Sequence, residues 1–204
     1  MNADRFTGDD LREMVGLIGS ELKAQDSLIR DATARNEVYK VCQGQGITYL
    51  KNEHYYQFAA VKALLPSFRF QVVPEFWGFD LAFLRSGSAA AVALGELKLW
   101  MSATGEQEIK GIIKDIEKLA RKDCPTQRGC ATFLLIFTVS PKGETEGNIK
   151  WLIDRLNAPF IEAHVLYQFD TKFEPASGTL ADGEFAILAG FLSHGQAVAA
   201  STSQ

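Results

Sequence analysis

The stretch FDLAFLRSGSAAAVALGELKLW, Phe79 to Trp100, decides how this chain is read. It predicts two apolar strands joined by the small-residue turn Ser86-Gly87-Ser88, a short hairpin connection. Three charges stand within the apolar runs: Asp80, Glu96 and Lys98. A turn centred on Ser88 sets Asp80 directly across from Glu96, where facing side chains lie about 4.5–5.5 Å apart at Cβ. Lys98 is two residues beyond Glu96, so the strand period of two puts it on the same face. Two carboxylates and an ammonium are thus expected at one spot of an otherwise apolar sheet. Like charges brought that close and buried are costly unless a cation joins them.

The cation that fits is Mg²⁺ or Mn²⁺. The donors are the Asp80 and Glu96 carboxylates with a strand carbonyl such as that of Leu97, and hard divalent ions prefer oxygen. Mg²⁺ held by one or two carboxylates keeps several waters and can take a phosphate oxygen. Lys98 beside it could orient or deprotonate a water, or stabilise negative charge on phosphorus. These parts suit hydrolysis of a phosphodiester. The plainer account is a strand end whose charges face solvent, but Leu97, Leu99 and Trp100 make a poor solvated edge.

Asp80 followed by Glu96-Leu97-Lys98 resembles the bipartite signature of the PD-(D/E)XK nuclease superfamily, the restriction-endonuclease-like fold. The resemblance extends to the order of elements: a helix, three antiparallel strands, a helix and a further strand. Here the first helix is expected over 52–65, with Asn52 as N-cap and Glu53 in its first turn. The first strand is expected over 68–73, the hairpin supplies two more, a second helix spans 106–122 and the next strand 131–140. The match covers about Asn52 to Ser140, and the residue before Asp80 is Phe79 where the family's name has proline. The resemblance implies a Mg²⁺- or Mn²⁺-dependent nuclease acting on DNA. Asp80, Glu96 and the Leu97 carbonyl would bind the metal, Lys98 would act on the attacking water, and Glu53 would be an accessory acid. It also implies a polar phosphate contact on the second helix, for which Gln107, Lys110 and Lys114 are candidates. A catalytically inactive member of the same fold, serving as a nucleic-acid-binding or protein-interaction module, is the alternative. A structural protein with a coincidental Glu-x-Lys is a third.

Composition sets the frame around this core. The chain has 204 residues, 47% hydrophobic and 23% charged, which suits one α/β domain with a mixed sheet flanked by helices. No apolar run reaches membrane-spanning length and the polar N-terminus is no signal peptide, so no membrane partner is expected and the cytoplasm is the expected location. Cys42, Cys124 and Cys130 lack a paired metal spacing and read as reduced thiols. A net charge of −4 gives no global basic footprint for nucleic acid. No GxxxxGK[ST] loop, no G-x-S-x-G and no Cys/His nucleophile pair is present, and His54, His164 and His194 show no metal spacing.

The organisation read from the sequence has three parts: a helical N-terminal extension over 1–46, a nuclease-like core over 47–172, and a C-terminal segment over 173–204 ending in a flexible tail. Two helices are expected in the extension, 9–25 and 26–43, packed on or near the core; they either cover a sheet face or, through the apolar stripe of the first, contact a homodimer mate or partner protein. Ile109, Ile112, Ile113, Ile116 and Leu119 predict a helix packed on the sheet, with Lys110, Lys114 and Lys118 as a ridge spaced by four. A helix over 144–156 between strands over 132–139 and 161–169 predicts a parallel strand–helix–strand unit. An apolar element of undecided type follows over 184–192.

Overall fold

The computed structural model describes residues 5–35, 44–101, 105–120, 130–156, 160–175 and 178–192. The expected ends of helices at Gln43 and Lys122, the thiols Cys42 and Cys124, His194 and the expected tail lie outside the described residues. In order the elements are α1 (Gly8–Arg35), a 3₁₀ turn (Ile47–Tyr49), α2 (Glu53–Leu64), β1 (Gln71–Phe76), β2 (Phe79–Leu84), β3 (Ala91–Trp100), α3 (Glu106–Ala120), β4 (Ala131–Pro141), α4 (Thr145–Leu156), β5 (Phe160–Phe173) and β6 (Ala181–Leu192). They build an α/β fold around a six-stranded mixed sheet of order β1-β2-β3-β4-β6-β5. Among the described residues only β3 and β4 are neighbours in parallel, and α3 is their crossover.

The two sheet faces are covered by different helices. Leu11, Met14, Val15, Ile18 and Leu22 of α1, with Tyr56, Ala59, Ala60 and Leu64 of α2, bury against Phe83, Leu97, Phe133, Phe137 and Phe185. Ile109 and Ile112 of α3, with Ile149, Leu152 and Leu156 of α4, bury against Trp100, Leu134, Ile136 and Leu188 on the other face. β3 and β4 are therefore apolar on both sides, as strands between two helical layers must be. Gly95 lets β3 sit close beneath an aromatic ring: a Cβ there would stand 2.2 Å from the Phe133 ring.

The hairpin of β2 and β3 forms in the expected register, with Leu81 opposite Gly95, Ala82 opposite Leu94 and Phe83 opposite Ala93. Asn52 caps α2, its side chain accepting from the His54 N–H at 3.0 Å. The first strand begins at Gln71 rather than Phe68, because Phe68 and Phe70 are drawn into the aromatic cluster around Phe6 and Phe83.

Two expectations change and one open choice is resolved. The N-terminal segment is one helix through Arg35, not two broken at Asp26. Asp26 is buried mid-helix, accepting from the Ile47 N–H at 2.9 Å and the Thr171 hydroxyl at 2.7 Å. The apolar stripe of α1, read as covering a sheet face or contacting a partner, packs into the core on the sheet. The strand–helix–strand unit of β4, α4 and β5 keeps both strands pointing the same way, but β6 lies between them, antiparallel to each. Among the described residues no helix is long and apolar enough to cross a membrane.

Candidate functional site

The pairing of β2 with β3 stops at Leu81 and Gly95, and the candidate residues stand where the strands part. There the Asp80 carboxylate accepts from the Leu97 N–H at 2.8 Å, taking the place of the missing strand partner. A residue's N–H and C=O point to the same edge of an extended strand, so the Leu97 carbonyl faces that opening as well. Glu96 and Lys98 alternate with the buried Leu97 and project toward α3. Asp80, alternating with Ala82 and Leu84, shares that face, where those two pack with Leu119 of α3.

Glu96 is only 2% exposed. The Lys118 ammonium lies 2.5 Å from its Oε1. Burial pushes the Glu96 carboxyl up to about 8, and the neighbouring Asp80 and Asp115 charges add to the rise while Lys118 opposes it. Lys118 also donates to the Gly78 carbonyl and lies over the Phe79 ring, 4.9 Å from its centroid.

Lys98 is held between two helices. Its Nζ donates to Glu53 Oε1 at the N-terminus of α2, 2.9 Å away, and lies 3.0 Å from Asp115 Oδ2 on α3. Burial alone would lower the Lys98 pKa, but the two carboxylates outweigh it and hold the ammonium above its ordinary range. Lys98 is thus kept as a cation and is unsuited to deprotonating a water, one of the roles left open by its sequence position. Gln57, one turn into α2, donates to Glu75 at 2.6 Å and to the Asp80 carbonyl at 2.8 Å.

Glu53 and Lys98 therefore meet directly, Asp80 and Glu96 are coupled by charge, and Asp115, which lies against Lys98 and raises Glu96, links the two pairs. Gln107, Lys110 and Lys114 are exposed on α3. At 3.6 residues per turn, Gln107 and Lys114 lie within about 40° of Lys118 around the helix, whereas Lys110 is about 80° away and turned from the site. His54 is exposed, its ring nitrogen 3.4 Å from the Gln57 side chain. Asp115 and Gln57 carry no signal in the motif, and Lys118 stands in the sequence only as a member of the lysine ridge, not of the site. The signal for Asp115 was a lone acid at the margin of the apolar stripe formed by Ile112, Ile116 and Leu119. That for Lys118 was its place three residues on, along the same margin.

Among the described residues no group of three or more His, Cys, Asp and Glu side chains stands ready to hold a metal ion. The Asp80–Glu96 pair is a two-carboxylate set, which with the Leu97 carbonyl suits an ion that keeps most of its waters. A carboxyl raised chiefly by burial, with the Asp80 and Asp115 charges adding to the rise, is an environment that a further cation beside Lys118 would relieve. No family model matches this chain, and none of the curated proteins matches it either.

Proposed function

We propose that this chain is a metal-dependent nuclease of the PD-(D/E)XK type, with a restriction-endonuclease-like core, hydrolysing phosphodiester bonds of DNA. The observation that carries the reading is Glu96: a carboxyl buried to 2% exposure, beside Asp80 at the parting of two strands, with Lys98 on the same face. Burying such a pair costs the fold stability even with a lysine beside it, and strongly perturbed titration clusters at functional sites.

In this reading Asp80, Glu96 and the Leu97 carbonyl would hold Mg²⁺ or Mn²⁺. Bound there, the ion would neutralise phosphate charge and make a water more acidic. The protein residues supply the rest. Lys98, fixed as a cation by Glu53 and Asp115, orients the attacking water and stabilises the charge that grows on the phosphoryl oxygens. Glu53 positions that ammonium and is the accessory acid. Gln57 braces Asp80 by its carbonyl, and the Leu97 N–H fixes its carboxylate. Gln107 and Lys114, flanking the site-facing stripe of α3, are the phosphate contacts that this geometry favours over Lys110.

The test is incubation of the purified protein with single- and double-stranded DNA and RNA in Mg²⁺, in Mn²⁺ and in EDTA. Cleavage in either metal, abolished by EDTA and by Asp80→Ala, is the expected result. Absence of cleavage of every substrate in both metals would remove the enzyme reading. One observation favours a second reading, a non-catalytic module of the same fold that binds nucleic acid or a protein: Lys118 already places an ammonium against Glu96. That module would bind its partner equally well with and without divalent metal.

A further inference from the structure

β1 and β2 are joined by a two-residue turn, Trp77-Gly78, with Phe76 paired to Phe79 and φ of 56° and 81° at the two turn residues. Positive φ at both positions is the pattern of a type I′ hairpin, whose first position is normally asparagine, aspartate or glycine. A bulky residue held there is a backbone outlier, and such strain persists where the surrounding structure imposes it. The indole touches Phe76 at 6.2 Å between centroids and is 72% exposed, more than any other large apolar side chain among the described residues. Two ties fix this tip to the acidic pair. Lys118 donates to the Gly78 carbonyl while facing Glu96, and Gln57 bonds both Glu75 and the Asp80 carbonyl.

We infer that Trp77 is a stacking platform for an unpaired nucleobase of the strand whose phosphate meets the Asp80–Glu96 cluster. Single strands, overhangs and frayed ends are then the substrate class. The inference rests on the nuclease reading for its choice of ligand. An indole face takes any base, because every base has a π-face, and an ammonium beside it suits the attached phosphate. Lys118, about a third exposed between the tip and Glu96, supplies that charge. In a blunt duplex the bases are occupied by pairing and by their own stacking, so Trp77 has nothing to hold.

Labelled single-stranded, overhang-bearing and blunt duplex oligonucleotides, titrated in Ca²⁺ with fluorescence anisotropy, test this. Trp77→Ala is expected to weaken binding of the first two by about fivefold or more, the low end of one base–aromatic stack. The blunt duplex should bind unchanged, and Trp77→Phe should retain most of the affinity. Trp77→Asn, which suits the turn better, should melt no lower than the parent yet bind as weakly as the alanine variant. Equal binding of all three ligands by parent, Ala and Asn variants overturns the inference, as does a parent that binds none of them. Cleavage of the same oligonucleotides in Mg²⁺ by parent and Glu96→Gln scores the nuclease reading separately. Glu96-dependent cleavage with Trp77-independent binding defeats the stacking role alone. Trp77-dependent binding without cleavage defeats the nuclease alone.

Discussion

A carboxyl group 2% exposed with another carboxylate for a neighbour resists ionisation, and Glu96 accordingly titrates at about 8 instead of near 4.5. The native state then binds this proton more tightly than the unfolded chain does. The associated stability is complete below about 4.5 and is lost as pH rises through about 8. Urea unfolding at pH 5 and pH 8.5 should therefore show the parent losing a few kcal/mol relative to Glu96→Gln, since each pKa unit corresponds to about 1.4 kcal/mol. A parent and variant that lose stability in parallel over that range would contradict the assignment. Lys98 behaves oppositely: Glu53 and Asp115 keep it charged at every working pH. Lys98→Met is expected to lower single-turnover cleavage by about 10²–10³, the usual effect of removing one group that stabilises developing charge. A variant that cuts within threefold of the parent would leave Lys98 without a catalytic role.

At the scale of elements, β3 must accept the Phe133 ring of β4 packed tightly on one face. Gly95 permits it, and Gly95→Ala should cost about 1–3 kcal/mol, because the Phe133 ring must move from beneath the new Cβ. Thermal unfolding that leaves Gly95→Ala within a degree of the parent would show that the ring gives way freely. Asp26 is the second pin, joining α1 to the 3₁₀ turn and to β5. Asp26→Ala strands a buried N–H and a hydroxyl, and should cost about 2–4 kcal/mol in urea unfolding. These same residues explain what could be read in the sequence. The β2–β3 hairpin was legible because its two apolar runs and small-residue turn are local, and Asp80, Glu96 and Lys98 followed from its register. The continuity of α1 was not legible, because aspartate usually starts helices and Asp26 stays inside one only through bonds to residues far away in the chain. The insertion of β6 between β4 and β5 was hidden too: β4-α4-β5 predicts direct pairing, and no local signal says that a later strand separates them. Asp115 and Lys118 were missed because the margin of an amphipathic stripe looks the same whether it meets solvent or a buried acid.

Over the whole molecule, charge limits how tightly nucleic acid can be held. The net charge is −4, and the cluster offers few cations beyond Lys98 and Lys118. Few phosphate contacts give a shallow dependence of affinity on salt, so log K against log [salt] for DNA should have a slope no steeper than about −3. A slope near −8 would reveal a basic surface elsewhere. With the apolar stripe of α1 buried in the core, self-association through that helix is not expected. The central claim is that Asp80 and Glu96 are a cleavage centre rather than a buried charge cluster. Glu96→Gln tests it most directly, because glutamine matches the shape of the protonated carboxyl and spares the fold. Under single-turnover conditions in Mg²⁺ the parent should cleave, while Glu96→Gln, folded and at least as stable at pH 8, should be slower by at least about 100-fold. Cleavage by Glu96→Gln at the parent's rate, or no cleavage by the parent, would contradict the account.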